Sequence, residues 1–241
     1  MKGNTMILAA MQPYFFPYLG YFGLIKHSDR FLIGDNVQFI KGGWISRNRV
    51  LKQQEGWQYI LVPLARHPLT TAIRDVKICT NEPWQPKIFN LLMHYKRKAP
   101  HYGDVIRFLE RVLFYPTDSI SELNAHLLAE TCSYIGIPFK AITFDDLDFA
   151  IEDVNAPDEW ALNICKVIGA DTYINPPGGM EFYDRGKYKQ AGLSLKFLKV
   201  NLRPYDQKRE PFEAGLSILD VMMFNTPEQI RCMLDDCEML S

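Results

Sequence analysis

Met6-Ile7-Leu8-Ala9-Ala10-Met11-Gln12-Pro13-Tyr14-Phe15-Phe16-Pro17-Tyr18-Leu19-Gly20-Tyr21 is the stretch that decides the architecture. Residues 6–11 are apolar without alternation, as in a strand covered on both faces. The two prolines and the glycine that follow cannot extend it. Gly20–His27 then reads as a short helix and Arg30–Gly34 as a second apolar strand. Strand, loop, helix and strand within ~30 residues make a βαβ unit. The sequence therefore predicts an α/β protein with a Rossmann-like core sheet.

Outward from that unit, Gly42-Gly43 marks a turn after an extended Val37–Ile40. Two more strands are expected at Trp57–Val62 and Arg74–Cys79. From residue 84 the period becomes helical. Trp84, Ile88, Leu91, Leu92, Tyr95 and Ala99 share one face, and Lys87, His94, Arg97 and Lys98 line the opposite one. Further helices are expected over Gly103–Tyr115 and from the Ser119-x-x-Glu122 capping box to Gly136. Asp145, Asp146, Asp148, Glu152 and Asp153 mark a solvated connection. A helix then runs from Pro157 to Gly169, a strand over Thr172–Ile174, a helix over Asp184–Ala191 and a strand over Leu193–Val200. Thr226-Pro227-Glu228-Gln229 opens a last helix. The reading is one unit over 1–241, with an α/β core from 6–80 and 157–225 and an inserted helical middle region at 84–136.

Composition narrows the class. Apolar residues make 47% and charged residues 23% of the 241, enough apolar side chain for a packed core. A net charge of -1 gives no global attraction to nucleic acid or membrane, so an anionic partner must be met by a local patch. The apolar run at 6–11 is too short for a membrane span or a signal-peptide core. The five cysteines have no CxxC spacing and read as small buried hydrophobes in a reducing compartment, so a cytoplasmic protein is expected. The five histidines show no HxxxH or HxH pair, and neither GxGxxG, a Walker loop nor a GxSxG elbow occurs. No metal or organic cofactor is expected.

Three stretches carry candidate chemistry. The first turn offers Gln12 with Tyr14, Tyr18 and Tyr21, and ligands of open α/β sheets bind where strands end. Six aromatics within residues 14–22 exceed what packing one turn requires, although an aromatic plug is the bland alternative. The second stretch holds Asp35, Gln38, Lys41, Trp44, Arg47, Asn48 and Arg49. Alternation along an extended segment would turn both guanidiniums toward one anion. The third is Asn175-Pro176-Pro177-Gly178-Gly179-Met180-Glu181-Phe182-Tyr183-Asp184, where two glycines free backbone amides for an anion, or simply make a tight turn capped by Asp184. Apart from these, Lys87, His94, Arg97 and Lys98 form a basic helix stripe open to a nucleic-acid backbone, and Arg203, Lys208 and Arg209 cluster near Pro204 and Pro211.

At these residues the chain resembles the WbqC-like family. The resemblance rests on Gln12-Pro13 through Pro17 and Gly20-Tyr21, Asp35 with Val37-Gln38-Phe39, and Trp44-Ile45 with Arg47-Asn48-Arg49. Val62-Pro63-Leu64, Lys98-Ala99-Pro100, Ile164-Cys165-Lys166, Gly169-Ala170-Asp171, Tyr183-Asp184 and Leu216-Ser217-Ile218-Leu219-Asp220 extend it along the chain. Met11 departs from it, standing where many relatives have histidine. The resemblance implies an amino-acid transferase, with glycine suggested as the amino acid. Relatives lie among O-antigen genes, and phage relatives are implicated in attaching an amino acid to an activated thymine in DNA. It is also compatible with the HUP, nucleotidyltransferase-like type of Rossmann sheet. Pro17–Tyr21 lies where the HxGH signature of those enzymes would be, but tyrosines replace the histidines, so adenylylation is not expected.

The implied scheme has a free amino acid, glycine, attack a phosphorylated acceptor through its amine. Arg47 or Arg49 would hold the carboxylate, Gly178, Gly179 and Lys41 the leaving phosphate, and Asp35, ahead of Glu181 or Asp184, the proton. Gln12 and Tyr18 would orient the acceptor, which is a DNA base or a sugar precursor. A non-catalytic nucleotide- or glycan-binding module remains the alternative from a different class.

Overall fold

The computed structural model describes residues 5–147, 154 and 156–240; Asp148, Glu152 and Asp153 of the acidic connection lie outside them. The strands are β1 (Ile7–Met11), β2 (Arg30–Ile33), β3 (Arg47–Leu51), β4 (Trp57–Leu61), β5 (Ala141–Ile142), β6 (Thr172–Asn175), β7 (Ser194–Val200) and β8 (Cys237–Leu240). The helices are α1 (Leu19–Lys26), α2 (Gln85–Leu92), α3 (Tyr102–Val112), α4 (Ile120–Ile135), α5 (Glu159–Ile168), α6 (Arg185–Gln190), α7 (Ile218–Phe224) and α8 (Pro227–Asp235).

Six strands form one sheet in the order β5-β2-β1-β6-β7-β8, all parallel except β8, while β3 and β4 make a separate antiparallel hairpin. This is a mixed α/β architecture with a mostly parallel central sheet, compatible with a Rossmann-like fold. Numbered among themselves, the six strands run 3-2-1-4-5-6, so the order reverses between β1 and β6.

Strand alternation divides the core. Leu8, Leu32 and Tyr173 point to the face covered by α5 and α6, and Ala9, Phe31, Ile33 and Ile174 to the face that carries α1, α7, α8 and the helical middle. Helix α1 crosses close to β7 because Gly23 has no Cβ; one would overlap Cγ2 of Val200.

Helices α2, α3 and α4 follow one another in the middle of the chain, with one break. Helix α2 stops at Leu92 and a tight 3₁₀ turn, Met93–Arg97, follows. Ser119 caps α4 by accepting from the Glu122 amide, and Gly136 ends it at φ 79. Glu122 does not reach back to Ser119; its carboxylate accepts from the Thr117 hydroxyl instead. The full box forms at α8, where Thr226 and Gln229 cap reciprocally.

Val37–Ile40, before the Gly42-Gly43 turn, carries a Gln38–Ala72 bridge. One expected strand does not form. Arg74–Cys79 holds part of the 3₁₀ turn Ile73–Asp75 and single bridges from Lys77 to Ser119 and Ile78 to Leu64. The backbone groups there bond to loops on either side, so β-branched content did not produce a ladder. Asp145 and Asp146 are also more than solvated charges: Asp145 pairs with Arg74, and Asp146 accepts from Thr143. Among the cysteines, Cys132 and Cys165 are buried as expected, but Cys232 is exposed. No helix among the described residues is long and apolar enough to cross a membrane.

Candidate functional site

The loop leaving β1 is buried at Pro13, Phe15, Phe16 and Pro17, so its carbonyls need protein partners. Asn124 of α4 donates to Pro13 O at 2.7 Å and to Ile45 O at 2.8 Å. Asn48 of β3 donates to Phe15 O at 3.0 Å and Phe16 O at 2.8 Å. The Ser217 hydroxyl donates to Phe16 O at 2.8 Å, and the Ile218 amide to Pro17 O at 2.9 Å. Phe16 is held at φ 41, a left-handed conformation rare for an aromatic residue. A strained turn fixed from three directions is a rigid platform. Asn48 is thus a buried clamp, not a ligand-facing group. Tyr21 is likewise internal: its ring is fully buried and its hydroxyl donates to Gln12 O at 2.8 Å.

Tyr14 and Tyr18 are partly exposed, and burial raises both phenols above their ordinary range. Gly20 does not open the start of α1 to an anion. Its space is filled by the Tyr18 ring, whose Cε2 would lie 2.5 Å from a Cβ there. The Gln12 side chain has no hydrogen-bond partner among the described residues and stands at the end of β1.

The hairpin joins this loop through the Phe15 amide, which donates to Trp44 O at 2.9 Å. Arg47 and Arg49 alternate with buried Asn48 and Val50, so they share one face of β3. The Arg47 guanidinium lies 4.2 Å from the Tyr59 ring and donates to Gly42 O. Arg49 lies 5.4 Å from Trp44 and 5.2 Å from Trp57, and donates to Gly215 O at 3.1 Å. Each Nε is buried without a partner. These are cations held in place by aromatic faces, with donor capacity left over.

Asp35 follows β2 at the same sheet edge, but it is not a free carboxylate. It accepts from Arg74 at 3.3 Å and from the Ser121 hydroxyl at 2.7 Å. Gln38 is exposed and donates to Leu69 O, and Lys41 is exposed with no ion pair among the described residues. At the end of β6, buried Asn175 sits beneath Gly179, where any Cβ would overlap its amide. The Tyr173 hydroxyl links Tyr183, at 3.2 Å, to this strand end. The amides of Gly179 and Met180 donate to the Pro176 and Pro177 carbonyls inside the 3₁₀ turn Pro177–Gly179, so of the two glycine amides expected to cradle an anion the turn takes up that of Gly179. Asp184 caps α6 by accepting from the Gly186 amide. Glu181 is exposed and has no partner among the described residues.

The first two stretches are joined through backbone by the Phe15–Trp44 bond, and the third begins at the end of β6, the parallel neighbour of β1 where the strand order reverses. No direct contact joins Gln12, Arg47 and Glu181. A cavity of about 910 Å³ lies elsewhere, lined by His94, Arg97 and Lys98 together with Lys52 and Arg209, and by none of those three. Lys87 is not part of it; its ammonium pairs with Glu82 at 2.9 Å. Sequence reasoning missed the buried carboxylate behind this cavity. Asp220 accepts from Tyr95 and Tyr205 at 2.5 Å each and from Gln207 at 3.0 Å. Burial pushes its carboxyl up to about 6 against the pull of those hydrogen bonds.

No solved structure matches the chain. A Mycobacterium tuberculosis protein named as uncharacterized protein Rv1507c is 28% identical over 231 residues, covering 93% of this chain and 97% of that protein. The model of the WbqC-like protein family matches residues 12–232, from the clamped loop to the last helix. By that match over nearly its whole length, the chain belongs to the WbqC-like protein family.

Proposed function

We propose that this protein is a transferase that joins the amine of a free amino acid, glycine foremost, to a phosphate-activated carbon of an acceptor. The site is the edge where β1 and β6 end, in a sheet we read as HUP-like. The observation that carries the reading is Arg49, braced between Trp44 and Trp57 on a hairpin bonded to the β1 loop, with its Nε unpartnered. A guanidinium already fixed loses little rotamer entropy when it takes a carboxylate.

In the reaction the amine nitrogen bonds to the acceptor carbon, the carbon–oxygen bond breaks, and phosphate leaves with that electron pair. The ammonium proton must go to a base before attack. Asp35 is engaged by Arg74 and Ser121, so we assign that role to Glu181, an unpartnered carboxylate at this edge. Lys41 takes the departing phosphate, and Gln12 and Tyr18 orient the acceptor. A DNA base carrying a phosphomethyl group is narrowly favoured as acceptor over a sugar precursor. The engagement of Asp35 favours a second reading, a nucleotide- or glycan-binding module without catalysis.

Labelled glycine is incubated with the protein and either phosphomethyl-uracil DNA or a sugar nucleotide, followed by digestion and chromatography. Label in a nucleoside supports the favoured acceptor, and label in the sugar product moves the acceptor. Label in neither, with glycine or acceptor bound, leaves the binding module.

A further inference from the structure

Five cationic side chains, Lys52, Lys96, Arg97, Lys98 and Arg209, line the 910 Å³ cavity beside His94, whose pKa is lowered by burial and by the charges of Arg209 and Lys98. No carboxylate lines it. Elsewhere on the surface several basic side chains meet acids, as in Lys26–Asp235, Lys77–Asp118 and Arg111–Glu130. Among the described residues, Lys52, Lys96, Arg97 and Lys98 have no ion pair. Asp220 behind the recess interacts with Arg209, but those four have no such acid among the ion pairs, and gathering them around one recess favours an anion there.

Two buried polar atoms at the same recess lack partners. Arg209 donates through Nη1 to the carbonyls of Lys52 and Gln54, at 3.2 and 2.7 Å, while its Nη2 is buried and unbonded. His94 donates from Nδ1 to Leu91 O at 2.9 Å, leaving Nε2 buried and unbonded. Buried polar atoms are nearly always satisfied, so the open donor Arg209 Nη2 beside a cation-lined recess points to an anionic ligand. His94 Nε2, an acceptor once Nδ1 donates, takes no part in holding one. Arg209 is fixed by the hairpin turn it bonds, which pre-orients its free edge.

We propose that this cavity binds the diphosphate group of a small organic phosphate ester. Arg209, Lys98 and Lys52 take the phosphate oxygens, and the apolar wall of Leu91, Met93 and Phe224 receives part of the organic remainder. The charges converge on one recess instead of following a track, which favours a compact diphosphate over a nucleic-acid strand. The inference stands independently of the transfer reading, because no residue assigned to that reaction lines this cavity.

The test is titration calorimetry of the full chain with inorganic pyrophosphate and with a nucleoside diphosphate at low ionic strength. The expected result is one ligand per chain, with affinity at least tenfold weaker in the double variant Lys52→Gln and Lys98→Gln. Both lysines are exposed and unpaired, so the variant should melt at the wild-type temperature, and Arg209→Ala should show a similar loss. Three results would overturn the proposal. The first is no heat with pyrophosphate or the nucleoside diphosphate at millimolar concentration. The second is unchanged affinity in a folded double variant, and the third is tighter binding of an oligonucleotide lacking terminal phosphates than of the diphosphate.

Discussion

The Asn48 carboxamide donates to the carbonyl of Phe16 at 2.8 Å, and Phe16 is held at φ 41. The second hydrogen of the same amide reaches Phe15 O, so one side chain satisfies two buried carbonyls and fixes a strained turn. Asn48→Ala should therefore cost about 2–4 kcal/mol of stability, from two unpaired carbonyls plus backbone strain no longer opposed. Urea unfolding of both proteins measures this, and a loss below half a kcal/mol would show that the clamp does not hold the turn.

Both oxygens of Asp220 accept from buried donors. The Tyr95 hydroxyl accepts from the Leu51 amide, so its hydrogen must go to Asp220, and Tyr205 and Gln207 approach the other oxygen. Asp220→Asn sets an NH₂ against one of these donors. A cost of about 2–3 kcal/mol is expected from that mismatch, read as a lowered denaturation midpoint with unchanged slope.

The same carboxylate gives stability a pH dependence of known sign. Its folded pKa, about 6, lies above the ordinary 3.8, so between those values the folded chain holds a proton that the unfolded chain has released. Stability from this group is full below about pH 4 and falls as pH rises through 6, by on the order of 3 kcal/mol at most. Exposed acids with lowered pKa values, such as Asp118 and Asp206, act with the opposite sign. The difference between wild type and Asp220→Asn removes them, and it should shrink from pH 4.5 to pH 7. A difference that stays flat would show that Asp220 titrates normally.

How much of this was legible in the sequence follows from the range of the interactions. The run at 6–11 is unalternating because β1 lies inside a parallel sheet, and that local pattern carried the α/β reading. Strand β8 left no such mark: Cys237–Leu240 follows a helix and contains a glutamate, and its extended form comes from pairing with β7. Asn48 looks like a ligand group in the sequence and Asn124 carries no signal there, yet both are buried, because they serve carbonyls of a loop without access to water. The basic residues His94, Arg97 and Lys98 stood out as a stripe, but Arg209 joins them only through the fold. Tyr95 and Asp220 are 125 residues apart, and no period connects them.

Gly23 tests the packing of the first helix. A Cβ there would overlap Cγ2 of Val200, a stiff β-branched side chain on β7. Gly23→Ala gains up to about 1 kcal/mol of helix propensity, but overpacking should outweigh it and leave a net loss of about 1–2 kcal/mol. The reversal is the check: with Val200→Ala in the background, the same substitution should become neutral or stabilising in thermal melts.

Arg49 separates a role in binding from a role in folding. Its guanidinium is placed by Trp44 and Trp57 and donates once, to Gly215 O. Lysine at this position keeps the charge and much of the stem but has no planar fork to stack between rings or hold a carboxylate through two bonds. If Arg49 is only a brace for Gly215, Arg49→Lys should lower the melting temperature by a few degrees and leave glycine transfer unchanged in the folded fraction. If it holds the amino acid, KM for glycine should rise at least tenfold while KM for the acceptor and the fold stay near wild type. Trp57→Leu supplies the second arm, because it removes one stacking face and leaves the arginine. It should raise the KM for glycine less than Arg49→Lys does, since the cation remains but is no longer fixed. Equal glycine kinetics in all three proteins would sink the assignment of Arg49 and, with it, the site at the hairpin.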